Sequence, residues 1–133
     1  ISLFFIYILV LAKQKKDSTL QVWGSGNATR EFLYVNDLAE ACILLLDDFS
    51  DPLPINIGTG VEISIKDLAK LICKTVGFQG DLIFDSSKPD GTPRKVLDVS
   101  KLNNLGWKSK TNLEDGLKKS YSWFVNNFDQ TRK

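Results

Sequence analysis

Hydrophobic and polar positions along the chain predict helices separated by short strands. Residues 1–12 are almost all apolar, and a basic cluster at residues 13–16 follows them. A membrane span needs about 18 or more apolar residues, and a signal peptide carries its basic residues before its apolar run. The pattern therefore favours a buried helix, or the remnant of a helix from a longer domain, over a membrane or signal segment.

Three further segments carry apolar residues at the spacing of a helix with one buried face. Polar residues of the kind that cap a helix begin each segment: Asn36 or Asp37, Ser64 with Asp67, and Thr111 with Glu114. The predicted buried faces are, in chain order, Leu38, Ala41, Cys42, Leu45 and Phe49; Ile65, Leu68, Ala69, Ile72 and Val76; and Leu113, Leu117, Tyr121, Phe124 and Phe128. We also expect a short helix over residues 100–105, and Gly77 as the C-cap of the second long helix.

Short apolar runs between these helices predict strands at residues 20–23, 31–35, 55–57 and 82–84. The first and third runs end in Gly-Ser-Gly and Gly-Thr-Gly, here named the first glycine turn (residues 24–26) and the second glycine turn (residues 58–60). A polar loop at residues 85–95 follows the fourth run. Short strands that alternate with capped helices indicate a single α/β domain, with its function in these loops.

Composition limits the chemistry that this chain can perform. Its 133 residues have a net charge of +1, which suggests neither a nucleic acid nor an anionic membrane as partner. Histidine is absent, so a Ser-His-Asp triad or an ordinary zinc site built from this chain is excluded, and we expect no metal. Methionine is absent too, even at position 1, which suggests a piece or a processed product of something longer.

The two cysteines, Cys42 and Cys73, lie in predicted helices. Two thiols are too few for a zinc site, and the chain lacks the cysteine density of a small disulfide-bonded scaffold. Free cysteines usually behave as small buried residues. We therefore expect both to be reduced core residues of a cytoplasmic protein.

Charged and aromatic residues near the loops suggest an anion site. Neither glycine turn completes a phosphate-binding or dinucleotide-binding motif, so by themselves both are interpreted as turns. Between Lys88 and Lys110 there are six bases against two acids, and the segment from Asp90 to Lys95 offers donors suited to a diphosphate. Arg30 could bind the same anion, and Trp23 could pack against a base or sugar. From the residues alone, a solvated loop tip and a core Trp23 account for the pattern at least as well.

Two stretches carry a family resemblance. Residues 22–39 resemble the C-terminal region of extended short-chain dehydrogenase/reductases that act on sugar nucleotides, as do residues 55–60, 105–107 and 113–117. Residues 87–99 resemble, more narrowly, the GDP-L-fucose synthases, which epimerise and reduce GDP-4-keto-6-deoxy-mannose. The resemblance extends from about Ala12 to Phe128 but corresponds only to the C-terminal part of a full family member.

The resemblance implies that residues 1–133 form one sugar-nucleotide-binding domain of an NADP-dependent epimerase/reductase. Trp23, Arg30, Asp90 and Lys95 match positions that contact the substrate. Arg30 and Lys95 would offset the charge of the diphosphate, Trp23 would supply a packing surface, and Asp90 would accept hydrogen bonds from sugar or ribose hydroxyls. The whole enzyme would be a homodimer that binds a GDP-sugar.

The resemblance also implies what this chain lacks. In the family, the NADP-binding loop and the catalytic residues belong to an N-terminal Rossmann domain, so we expect no catalytic and no cofactor-binding residue here and no activity from this chain alone. A basic, substrate-contacting family residue would align near Ile8, so residues 1–12 are expected to be an atypical segment that faces the missing domain. Two alternatives stay open: a non-catalytic nucleotide-sugar-binding fragment, or the substrate domain of another sugar-nucleotide epimerase or dehydratase.

Overall fold

The computed structural model describes residues 3–127, in which helices and short strands alternate. The elements are α1 (Leu3–Lys15), β1 (Thr19–Trp23), β2 (Thr29–Glu31), α2 (Val35–Asp48), β3 (Glu62–Ser64), α3 (Ile65–Val76), β4 (Asp81–Asp85), β5 (Arg94–Lys95), α4 (Ser100–Asn104) and α5 (Leu113–Asn126). The predicted α/β class is confirmed.

The strands form two small sheets. In the first sheet β1 pairs in parallel with β4, from Thr19 opposite Asp81 to Trp23 opposite Asp85. In the second sheet β2 is central, antiparallel to β3 and parallel to β5. The loop from β4 to β5 therefore runs from the end of β1 to the edge of β2.

Helix α1 lies inside the domain. Its residues Ile6 and Leu9 are fully buried, and they belong to a core cluster with residues of α3 and α5. The expectation of a buried helix is confirmed, whereas the expectation that this segment faces a missing domain stays a prediction. None of the helices within residues 3–127 combines the length and the apolar content that crossing a bilayer requires.

Helix α3 begins and ends as its sequence predicts. The Ser64 hydroxyl accepts a hydrogen bond from the backbone N–H of Asp67 at 3.0 Å. At the other end Gly77 adopts a φ of 74°, the left-handed conformation that glycine adopts readily at a helix C-cap. Both signals are local, because each cap residue bonds to an atom within one helical turn of itself.

The caps of α2 and α5 differ from the prediction. Asp37 is not a cap: α2 begins at Val35, and the buried Asp37 carboxylate accepts the N–H groups of Lys110 and Thr111 and the Thr111 hydroxyl. Because Thr111 is engaged there, Asn112 caps α5 instead, accepting the N–H of Asp115. One long-range contact thus overrides two local signals.

The strand and burial predictions are partly wrong as well. β2 ends at Glu31 rather than at residue 35, residues 55–57 form no strand, and β3 was not predicted. On α2 the small residue Ala41 is buried with Leu102 and Trp107 in a second core cluster, whereas Leu38 and Cys42 are exposed. The predicted buried residue Phe128 lies outside the described residues.

Candidate functional site

Two cations lie side by side where β2 pairs with β5. The register places Arg30 opposite Lys95 in this parallel pair, so both side chains point to the same face of the sheet. The half-buried Arg30 donates a hydrogen bond from Nη1 to the carbonyl of Thr29 at 2.7 Å, and Lys95 is exposed. Among the ion pairs of residues 3–127, none includes either cation. The pair therefore presents positive charge that no carboxylate of the described chain neutralises.

The neighbouring cation Arg94 points to the opposite face and has a structural partner. Its Nε donates to Glu62 Oε2 at 2.9 Å, and the Thr29 hydroxyl donates to the same oxygen at 2.9 Å. The hydrogen bond from Thr29, together with that from Arg94, lowers the pKa of the Glu62 carboxyl. Alternation along β5 thus leaves Lys95, and not Arg94, available to a ligand.

Trp23 lies at the end of β1 with 72% of its surface exposed. The interpretation of Trp23 as a core residue is therefore wrong. The Lys88 ammonium sits 5.7 Å from the centre of its ring, a cation–π distance. Because Lys88 belongs to the loop between β4 and β5, one face of the indole already contacts the loop that leads to Lys95.

Asp90 fastens that loop to the first glycine turn. Its Oδ1 accepts the N–H of Ser25 at 2.5 Å, and its Oδ2 accepts the Ser25 hydroxyl at 2.7 Å. These two hydrogen bonds lower the pKa of the Asp90 carboxyl. Gly24 has a φ of 89°, and a Cβ there would overlap the Asp90 carboxylate, so this turn requires glycine.

The second glycine turn also binds a carboxylate of the chain itself. Glu31 Oε1 accepts the N–H of Thr59 at 3.0 Å, and Glu31 Oε2 accepts the N–H of Leu97 at 3.0 Å. Each glycine turn thus has a backbone N–H that a carboxylate of the chain itself occupies. Sequence reasoning missed Glu31, and the one signal for it was an acid directly after Arg30 in the chain.

A cavity of about 320 Å³ lies between β2, β3 and the start of α5, and none of the four predicted site residues lines it. Phe32, Ile63 and Leu113 are among its lining residues. No group of three or more His, Cys, Asp and Glu side chains in the described part of the chain is placed to hold a metal ion. The structure brings the four predicted site residues to one region, formed by the end of β1, by β2 and β5, and by the loop from β4 to β5.

Comparison with known sequences agrees with the family resemblance. Residues 4–58 match the model of the NAD dependent epimerase/dehydratase family. GDP-L-fucose synthase of Sinorhizobium fredii is 53% identical over 116 residues, which cover 87% of this chain and 37% of that protein. GDP-L-fucose synthase 1 of Arabidopsis thaliana is 50% identical over 116 residues, covering 87% of this chain and 36% of that protein. The chain thus spans little more than a third of the curated relatives it matches.

Solved structures give the same fold. A GDP-L-fucose synthetase from Naegleria fowleri bound to NADP matches with a TM-score of 0.90 and 29% identity, over 97% of this chain and 41% of that one. The predicted resemblance to GDP-L-fucose synthases and the predicted extended short-chain dehydrogenase/reductase fold are confirmed.

Proposed function

We propose that this chain, which is related to the GDP-L-fucose synthases over nearly all of its length, is the sugar-nucleotide-binding part of such an enzyme. In that role it would bind GDP-4-keto-6-deoxy-mannose, which the whole enzyme epimerises and reduces to GDP-fucose. The observation that supports this most directly is the pair formed by Arg30 and Lys95, two like charges held together at one edge of a sheet.

A diphosphate fits this pair chemically. Like charges on directly opposed strand positions repel each other, so Arg30 and Lys95 side by side destabilise the sheet unless an anion lies between them. Neighbouring strands are about 4.8 Å apart, which suits two bridging phosphoryl groups. The Arg30 guanidinium can clamp phosphate oxygens as a planar fork, and the Lys95 ammonium can act as a point charge.

Trp23 and Asp90 complete the proposed site. The exposed indole of Trp23 offers a face on which a base or a sugar can pack. In this structure the Lys88 ammonium lies over the same ring. Asp90 holds the loop against the first glycine turn through Ser25. Each oxygen of a carboxylate has two acceptor positions, so Asp90 can still accept a hydroxyl of the sugar or the ribose.

The described residues do not fit NADP. A dinucleotide pyrophosphate needs free backbone N–H groups at the N-terminus of a helix that follows a glycine-rich turn. Here Asp90 and Glu31 occupy N–H groups of the two glycine turns, and a strand rather than a helix is the next element after each turn. We therefore place NADP, together with the catalytic groups, in a Rossmann domain of the whole enzyme, and we expect this chain alone to be inactive.

That Rossmann domain is the proposed partner of this chain, in a cytoplasmic homodimeric enzyme. The surface available to it is the exposed apolar side of α2, which includes Val35, Leu38 and Leu46. A helix with apolar residues on both sides is expected to be covered on both sides. The inner side of α2 already packs on the second core cluster, so its outer side is left for the partner.

Calorimetric titration of GDP into the chain tests the proposed site. Arg30→Ala and Lys95→Ala each remove a charge-assisted contact worth about 1.5–3 kcal/mol, so each is expected to weaken GDP binding about ten- to hundredfold. Lys108→Ala is the matched control, because Lys108 is equally basic and exposed but lies outside the site. Equal losses in all three variants would indicate diffuse electrostatic binding, and wild-type protein that does not bind GDP would contradict the proposal.

A further inference from the structure

Glu31 joins three segments of the chain through one side chain. It is the last residue of β2 and its side chain is half-buried. Its two carboxylate oxygens accept N–H groups from Thr59, in the second glycine turn, and from Leu97, two residues past the end of β5. A single carboxylate therefore fixes the end of β2, the glycine turn and the segment after Lys95 relative to one another.

The neighbouring backbone leaves space for this contact. A Cβ at Gly58 would overlap Glu31 Oε1 and come close to a methyl group of Leu97. Any residue other than glycine at this position would push the carboxylate away from the N–H of Thr59. Gly58 thus leaves room for Glu31 as Gly24 does for Asp90, although only Gly24 also has a positive φ.

β5 needs such an anchor because its own pairing is short. Its ladder with β2 has two residue pairs, Thr29 with Arg94 and Arg30 with Lys95, and the second pair sets two like charges side by side. The N–H of Thr29 bonds to the carbonyl of Pro93 at 2.8 Å, just before β5. The Glu31 contact with Leu97 is the corresponding anchor just after β5. Lys95 is therefore held between two fixed points.

We infer that Glu31 is a positioning residue of the anion site, which keeps Lys95 beside Arg30 without touching the ligand itself. The inference rests on the proposed function, because it assigns Glu31 to the diphosphate contacts of that same site. Its carboxylate already accepts two backbone N–H groups. Its role is therefore distinct from that of Glu62, whose carboxylate pairs with Arg94.

The first experiment measures the anchor without any ligand. In Glu31→Gln the side chain keeps its size but replaces one acceptor oxygen with an amide that cannot accept an N–H. Amide hydrogen exchange in the 133-residue chain, followed by NMR, should accelerate about tenfold at whichever of Leu97 and Thr59 loses its acceptor. The amides of β5 should accelerate as well. Glu114→Gln is the control, since Glu114 is an acid on α5 paired with Lys118, and its variant should leave these amides unchanged. Unchanged exchange in Glu31→Gln would overturn the inference.

The second experiment asks whether Glu31 acts through Lys95. Glu31→Gln should weaken GDP binding about fivefold, within the range of coupling between residues of one network, and should have no further effect in a Lys95→Ala background. An equal loss in both backgrounds would assign Glu31 a general structural role and overturn the inference. If the wild-type chain binds no GDP, the proposed function fails, while the exchange at Leu97 still decides whether Glu31 anchors β5.

Discussion

Helices α1 and α2 are both rich in apolar residues, yet one lies inside the domain and the other leaves several of its apolar side chains exposed. Every described side chain of α1 from Phe5 to Ala12 is at least half-buried, and Leu9 has 0% of its surface exposed. On α2, by contrast, Leu46 is 84% exposed, and Val35 and Ile43 are exposed as well. High local hydrophobicity therefore does not decide which helix needs a partner.

The difference comes from how many neighbours each helix has within this chain. Helix α1 shares one core cluster with α3 and α5, so its apolar residues are covered on several sides. Helix α2 packs one side, around Ala41, on Leu102 and Trp107. Its exposed side carries Val35, Leu38, Cys42 and Leu46 at helical spacing, which makes a continuous apolar strip. Strips of this kind mark interaction surfaces more often than chance exposure.

The largest expected effect is on α1. Leu9→Ala removes a fully buried side chain and leaves a cavity, which should lower the free energy of unfolding by about 2–5 kcal/mol. Leu46→Ala, the same change at an exposed position of α2, should stay within about 0.5 kcal/mol of wild type. Urea denaturation measures both variants. Similar losses would mean that the outer side of α2 is buried in solution, for example against a second copy.

A smaller effect is expected at Asp37, the polar contact that holds the start of α2. Only 4% of this residue is exposed, and its carboxylate accepts three hydrogen bonds from Lys110 and Thr111. Asp37→Asn replaces one acceptor oxygen with a donor, so we expect a loss of about 1–3 kcal/mol in urea denaturation. Asp47→Asn, at an exposed acid of the same helix, is the control and should be neutral. A neutral Asp37→Asn would show that apolar packing alone fixes α2.

The smallest expected effect is a difference in labelling rate between the two thiols, which is measured without changing the stability of the fold. Cys42 is exposed on α2, whereas Cys73 is half-buried on α3, and burial raises the pKa of its thiol. Because the thiolate is the reactive form, a maleimide should label Cys42 faster than Cys73 near neutral pH. The difference between the two labelling rates should narrow as the pH rises and the Cys73 thiol ionises. Slow labelling of Cys42 that speeds up on dilution would show that another molecule covers the α2 strip.

The thiols and the caps also show where sequence reasoning succeeds. The cap and C-cap of α3 were predicted correctly because Ser64, Asp67 and Gly77 act on backbone atoms of their own helix. The burial of Cys42 and the capping role of Asp37 were predicted wrongly, because each depends on an element that is distant along the chain. No local pattern reveals that Thr111 competes for Asp37.

The candidate site also has properties that the sequence predicts and properties that it does not. Its residue types are present in the sequence, and residues 22–39 and 87–99 carry the family resemblance, but the residue types alone fit a solvated loop tip at least as well. Which of the adjacent Arg94 and Lys95 stays available depends on the register of β5 against β2, and that register exists only after folding.

Sequence by itself determined the α/β class and the buried character of α1, since these follow from composition and from spacing along one segment. Tertiary structure alone decided that α2 keeps an uncovered apolar side and that Asp90 and Glu31 occupy the two glycine turns. The physical reason is that a hydrogen bond between Glu31 and Leu97 joins atoms 66 residues apart, and only the packed chain brings them within 3.0 Å.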